Sequence, residues 1–191
     1  MNVIAINGSP RPDGNTAALL RTVREVLERE GIATETFHLG GNAVRGCTAC
    51  YRCFETKDGR CALPDDAVSA ALEKMKAADG ILLGSPTYFA DVTAEMKALI
   101  DRTGLVARAC GDLFRRKVGA GVVAVRRGGA VHAFDTLNHF FLIGQMIVPG
   151  SIYWNFGLGR DKGEVADDEE GLRTMTVLGE NMAWLMKRLH A

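Results

Sequence analysis

Strand-like apolar runs and helix-like apolar stripes alternate along this chain from one end to the other. Val3-Ile4-Ala5-Ile6 is an unbroken apolar run ending at Asn7-Gly8, the pattern of a strand buried on both faces. Leu19, Leu20, Val23, Val26 and Leu27 then recur at helical spacing, with Asn15 as the expected N-cap and Gly31 as the stop. Thr34 to Leu39 alternates around Phe37 and predicts a second strand. Beyond it, a helix capped by Asp65 or Asp66 runs through Ala78, and Gly80-Ile81-Leu82-Leu83-Gly84 reads as the third strand. A helix over Thr93 to Arg102, a fourth strand over Val118 to Val125 and a helix over Phe134 to Met146 follow. Ile147-Val148 is the expected fifth strand. Met175, Leu178, Met182, Leu185 and Leu189 make one apolar stripe in a last helix, opened by Asp167-Asp168-Glu169-Glu170, where acids oppose the helix dipole.

Five strands joined by crossover helices predict an α/β fold, a doubly wound parallel sheet with helices on both faces. No linker, repeat or low-complexity tract divides the 191 residues, so one domain over 1–191 is expected, large enough to bury a core. A cysteine-rich segment at about 45–64 interrupts the pattern as an irregular insertion.

Charge narrows the function classes. The 23 basic and 23 acidic residues balance, which gives no support to nucleic acid or a membrane surface as partner. No run approaches the ~18 apolar residues of a spanning helix. MNVIAINGSP lacks a basic start and a signal-type apolar core, so a cytoplasmic location is expected. There, clustered cysteines serve more often as metal ligands or redox groups than as disulfides.

Ligands of doubly wound sheets bind beyond the carboxyl ends of the strands, near the switch point. That rule selects three loops. Gly8-Ser9-Pro10-Arg11-Pro12-Asp13-Gly14-Asn15-Thr16 joins a buried strand to a helix N-terminus. Free N–H groups, the Ser9 and Thr16 hydroxyls and the Arg11 guanidinium could all donate to a phosphate there. It matches neither the dinucleotide nor the triphosphate fingerprint, and a Gly/Pro-rich connection without a ligand is the plainer reading. Gly84-Ser85-Pro86-Thr87-Tyr88-Phe89-Ala90 sets two aromatics at the sheet mouth, to pack beside a flat heterocycle or to cap a core or interface. In Arg126-Arg127-Gly128-Gly129 the glycines permit close backbone approach. Tyr153 and Trp154 add aromatic surface beyond the last strand.

Four of the five cysteines lie close together: Cys47, Cys50 and Cys53 in C-x-x-C-x-x-C spacing, then Cys61 after a charged, Gly-containing loop. Three thiolates so spaced can converge on one cubane and a return loop can bring a fourth, so the segment reads first as a [4Fe–4S] site. Four thiolates would also hold zinc, though structural zinc more often takes two separated knuckles. A C-x-x-C disulfide or free thiols are further readings. Cys110 stands apart as a small core residue.

The order GSPRPDGNT, GCTACYRCFETKDGRC, GSPTYFADVTAEMKALIDR resembles the iron–sulfur flavoproteins of the flavodoxin-like superfamily, relatives of NAD(P)H-dependent FMN reductases. The resemblance covers nearly the whole chain, and the compact cysteine motif is its most specific part. It departs in one place, with Ala62 and not Pro after the last cysteine. It implies a flavodoxin-like sheet and FMN, with Ser9, Arg11, Asn15 and Thr16 at the phosphate. It implies Ser85, Pro86, Thr87, Tyr88 and Phe89 at the flavin, with Gly128 and Gly129 beside them. It implies a [4Fe–4S] cluster on Cys47, Cys50, Cys53 and Cys61, NAD(P)H or a ferredoxin-type protein as donor, and a homodimer or homotetramer. The expected function is flavin-dependent oxidoreduction coupled to the cluster, with chemistry on FMN and no catalytic side chain. A cluster-free NAD(P)H-dependent FMN or quinone reductase and a flavin-binding redox sensor without turnover are the alternatives.

Overall fold

The computed structural model describes residues 1–190. The apolar runs become the strands β1 (Asn2–Asn7), β2 (Ala33–His38), β3 (Gly80–Pro86) and β4 (Val118–Val125), with a short β5 (Phe156–Leu158). All pair in parallel, in the order β2-β1-β3-β4-β5. The chain leaves β1 toward one edge and returns through β3 toward the other, so the switch point lies between these two strands.

Both faces are covered, which is why β1, β3 and β4 are apolar almost throughout. On one face α1 (Asn15–Arg29) and α6 (Glu169–Leu189) bury Leu19, Leu20, Val23, Leu27, Met175, Leu178 and Met182 against Val3, Ala5, Leu82 and Val122. On the other, α3 (Ala67–Ala77), α4 (Ala94–Ala109) and α5 (Ala130–Ile143) bury Leu72, Met75, Met96, Leu99, Leu137 and Phe141 against Ile4, Ile6, Ile81 and Leu83. Alternate strand residues thus feed opposite cores. Asp66 caps α3, its Oδ1 accepting from the N–H of Val68 at 2.9 Å and Ser69 at 3.1 Å. Asp168, inside the acidic run, caps α6 and accepts from Gly171 N–H at 2.9 Å.

The structure corrects several expectations. Ile147 makes only an isolated bridge to Val118. The fifth strand forms instead at Phe156–Leu158, just after Asn155, whose carbonyl accepts from Val123 N–H of β4 at 2.9 Å. Pro149 brings no N–H to a ladder, and Gly157 is the strand position where a Cβ would strike Leu19 at 2.5 Å. Asn15 is the first helical residue of α1 and not its cap; the cap is Gly14, which has no side chain to offer the first turn. α4 runs on past Arg102 to Ala109, and α5 starts four residues before Phe134, at Ala130. Leu189 ends the α6 stripe 46% exposed. The cysteine segment is not wholly irregular, because α2 (Arg52–Thr56) forms within it and carries Cys53.

Candidate functional site

The first loop is held open by its own polar groups. Asn7 Oδ1 accepts from Ser9 N–H at 3.0 Å, and Ser9 Oγ accepts from Arg11 N–H at 3.2 Å. Ser9 is buried, so its hydroxyl shapes the turn, while Arg11 stands exposed at the mouth. A Cβ on Gly40 would lie 2.1 Å from the Ser9 carbonyl oxygen, so the chain after β2 passes flat against the loop because Gly40 has none. Among the described residues no acceptor meets the N–H groups of Asn15, Thr16 and Ala17, the orphan donors of α1's first turn, and Gly14 leaves that end sterically clear. Those donors fit a phosphate. The Asn15 side chain itself donates to the Asp161 carbonyl at 2.9 Å and accepts from Gly163 N–H at 2.8 Å. It fastens the loop after β5 to α1, so its contribution to a bound anion would come through its backbone.

The second loop is tied to the first. Gly8 N–H donates to the Gly84 carbonyl at 2.8 Å. Thr93, the cap of α4, donates through Oγ1 to the Gly8 carbonyl at 2.9 Å, and its N–H donates to Ser85 Oγ at 3.1 Å. Ser85 Oγ also donates to the Pro86 carbonyl at 2.8 Å, so Ser85 and Pro86 form framework rather than a free donor surface. Thr87 differs: its Oγ1 is buried with no partner. A buried orphan hydroxyl is costly, and a ligand carbonyl or hydroxyl would satisfy it. Tyr88 to Asp91 closes a tight turn with paired bonds of 2.8 and 3.0 Å, and its central residues Phe89 (φ 47°) and Ala90 (φ 66°) are left-handed. Neither is glycine, and such strain concentrates at binding sites. The Phe89 ring projects fully into solvent and Tyr88 is half exposed.

The third loop leans on the second. Gly129 is left-handed (φ 88°), and a Cβ there would lie 2.9 Å from Ala90 Cα. Gly128 faces open space. Asp91 joins this turn to α5, its Oδ1 accepting from Thr136 Oγ1 at 2.7 Å and from Val92 N–H at 2.8 Å. Burial raises the Asp91 carboxyl, but these bonds and His132 outweigh it and hold its pKa below the ordinary value. The structure thus gathers residues of all three loops at the carboxyl ends of β1, β3 and β4.

The cysteines form a second site. Cys47, Cys50, Cys53 and Cys61 all line one narrow cavity against Arg102, Leu105 and Val106 of α4. Cys47 and Cys50 are exposed, Cys61 half-buried and Cys53 buried, and burial pushes the Cys53 thiol up. Ala49 (φ 51°) and Tyr51 (φ 56°) are left-handed between the cysteines, and Ala49 N–H donates to Cys47 Sγ at 3.4 Å. These reversals turn successive thiols to one side, again at the cost of backbone strain. No group of three or more His, Cys, Asp or Glu among the described residues is arranged to hold a metal ion. The cavity leaves only about 20 Å³, close to one water. Four thiols around one cavity are the donor chemistry that a cluster takes. Cys110, at the far end of α4, takes no part.

Thr93, Asn7 and Arg102 were not evident as site residues from sequence. Arg102 had a signal: it lies three residues after Leu99 and four before Val106, within an apolar stripe where a cation is out of place.

The model of the NADPH-dependent FMN reductase family matches residues 1–161. An iron–sulfur flavoprotein of Methanocaldococcus jannaschii is 41% identical over 194 residues, covering 98% of each chain. Among solved structures, RosB with its bound intermediate 8-demethyl-8-formylriboflavin-5'-phosphate superposes with a TM-score of 0.78 at 20% identity, over 100% of this chain and 80% of that one. An NAD(P)H:quinone oxidoreductase from Methanothermobacter marburgensis gives 0.70 at 16% identity, over 95% and 98%. At those identities the structures speak for the fold alone. With the sequence matches and the switch-point site together, the chain belongs to the NADPH-dependent FMN reductase family, among its iron–sulfur flavoproteins, and is a flavin-dependent oxidoreductase.

Proposed function

We propose that the protein couples FMN at the three-loop site to a [4Fe–4S] cluster on Cys47, Cys50, Cys53 and Cys61. The observation that carries this reading is that both sites are built on one helix. Thr93 caps α4 and bonds the phosphate loop, while Arg102, Leu105 and Val106 of the same helix wall the cysteine cavity. Nine residues separate Thr93 from Arg102, about 13 Å along the axis. When bound, FMN exchanges one or two electrons and a cluster exchanges one, which suits a two-electron donor such as NAD(P)H and a one-electron partner such as a ferredoxin.

The chain's own residues bind and orient. The N–H groups of Asn15, Thr16 and Ala17 and the Arg11 guanidinium take the phosphate, Thr87 Oγ1 takes a polar edge of the flavin, and Tyr88 and the Gly128-Gly129 backbone flank the ring. Tyr88 and Phe89 are exposed beyond β3, Tyr153 and Trp154 are exposed ahead of the edge strand β5, and Phe134 packs against Trp154 at 6.2 Å between ring centres. An apolar surface of that kind supports a homodimer or homotetramer whose interface shields the flavin.

Replacing Cys50 with Ser tests the coupling of sites. It is expected to abolish iron uptake and leave FMN content unchanged, because the two sites share no ligand. Unchanged iron in the variant would defeat the assignment. A second reading, a cluster-free NAD(P)H-dependent FMN or quinone reductase, draws on the match to the FMN reductase family; full turnover of the Cys50→Ser variant with NAD(P)H and a quinone would favour it.

A further inference from the structure

Arg102 is the largest fully buried side chain of the molecule's described residues, and nothing in the three-loop site uses it. One terminal nitrogen, Nη1, donates to Asp66 Oδ2 at 2.5 Å and to the Arg45 carbonyl at 3.2 Å; the other, Nη2, donates to Ser69 Oγ at 3.4 Å. Arg45 precedes the first cysteine of the cluster segment and Asp66 follows the last, so one guanidinium grips both ends of the cysteine segment and pins them to α4. The third donor, Nε–H, is buried and has no acceptor. Arg102 lines the cysteine cavity with all four thiols. A buried cation with one nitrogen, Nε, unpartnered beside four sulfurs is an incomplete arrangement in the protein alone.

We infer that Arg102 is the positioning and potential-setting residue of the four-cysteine site, its Nε–H donating to a sulfur in that cavity and Asp66 balancing its charge. The inference rests on the [4Fe–4S] reading. Cluster potentials follow net charge, hydrogen bonds to sulfur and exposure to solvent. A permanent cation favours the state that has gained an electron, and the Arg102 donor strengthens that preference. Asp66, bonded to Arg102 Nη1 and not part of the cysteine cavity's lining, opposes it. Arg102 therefore raises the potential of the site and Asp66 trims the rise.

The two charges give tests of opposite sign. Arg102→Met, Arg102→Lys and Asp66→Asn are made in the full chain and reconstituted anaerobically with iron and sulfide. FMN content and circular dichroism confirm folding, and EPR-monitored titration gives the midpoint potential. Asn keeps an acceptor for the cap of α3 but turns an NH2 toward Arg102, so Asp66→Asn removes the charge and the Nη1 bond together. Arg102→Met is expected to lower the potential, by about tenfold in the reduction equilibrium or ~59 mV for one electron. Asp66→Asn is expected to raise it by less, and Arg102→Lys, which keeps the charge and loses the Nε donor, to lower it by less than Met does. Where Arg102→Met holds FMN but takes up no iron, the Lys and Asn variants carry the same opposite-sign comparison. Potentials equal to wild type, or displaced in one direction by all variants, at full iron content overturn the inference alone. Wild-type protein that takes up no iron under these conditions overturns the cluster reading, and this inference with it.

Discussion

Thr87 and Arg11 separate what a side chain does for the fold from what it does for a ligand. Thr87 Oγ1 is buried without a partner, so Thr87→Val removes a desolvated hydroxyl and keeps the shape. Apoprotein stability is expected to be unchanged or higher, while FMN affinity falls by about 0.5–1.5 kcal/mol, the worth of one neutral bond. Thermal melting without flavin and fluorescence titration with it read the two effects separately. Arg11 is exposed at the mouth of the first loop; if it donates a charge-assisted bond to the phosphate, Arg11→Ala is expected to weaken FMN binding by about 1–3 kcal/mol, and an unchanged affinity would remove it from the phosphate site. At this scale the sequence was readable as to placement: spacing brings the four cysteines to one cavity and the 8–16 loop to the start of α1. It was unreadable where a role depends on direction. Ser85 and Asn15 have the right donors, but their side chains face Thr93 and residues 161–163. Arg102 stands out as a cation within an apolar helix stripe, but what it grips follows only from packing.

Helix α6 lies against α1 through Gly179, where a Cβ would come 2.7 Å from Val26 Cβ and 3.0 Å from the Val23 carbonyl oxygen. Gly179→Ala gains helix propensity of about 1 kcal/mol but forces the helices apart, so a net loss of about 1–3 kcal/mol in denaturant unfolding is expected. A gain would show that α6 can slide to make room. α3 contributes a pH dependence through its cap. Burial alone would raise the Asp66 carboxyl, but the bonds from Arg102, Ser69 and Val68 outweigh it and its pKa lies below the ordinary 3.8. A depressed carboxylate contributes stability that is fully present above that value and lost as pH falls through the lower, folded one. Asp66→Asn is therefore expected to flatten the acid limb of the stability curve below about pH 4, and an unchanged limb would contradict the assignment. Elements with strong periodicity, such as α1, β1 and β4, were legible from pattern. β5 was not, because Ile147-Val148 has the better strand composition, yet the pairing partner that Val123 and Val125 need is supplied only at Phe156 and Leu158. Tertiary pairing overrode local propensity there.

For the whole molecule, fold class and the meeting of the three loops followed from the alternation of strands and helices alone, since a switch point between β1 and β3 fixes which loops meet. How the exposed rings are covered does not follow from one chain. Light scattering at micromolar concentration is expected to give a multiple of 20.6 kDa, with Phe89→Gly shifting the protein toward monomer while relieving the left-handed backbone at that position; a monomer that still holds FMN would show the rings serve something else. No helix of the described residues is long and apolar enough to cross a membrane. The joining of a flavin site and a cysteine site on one helix is decided most directly by quantifying iron, sulfide and FMN, with EPR of the reduced state, on protein purified without oxygen. About four irons and one FMN per chain are expected, as a [4Fe–4S] cluster on four thiolates requires. Stoichiometric zinc with no iron, on protein that holds its FMN, would contradict it.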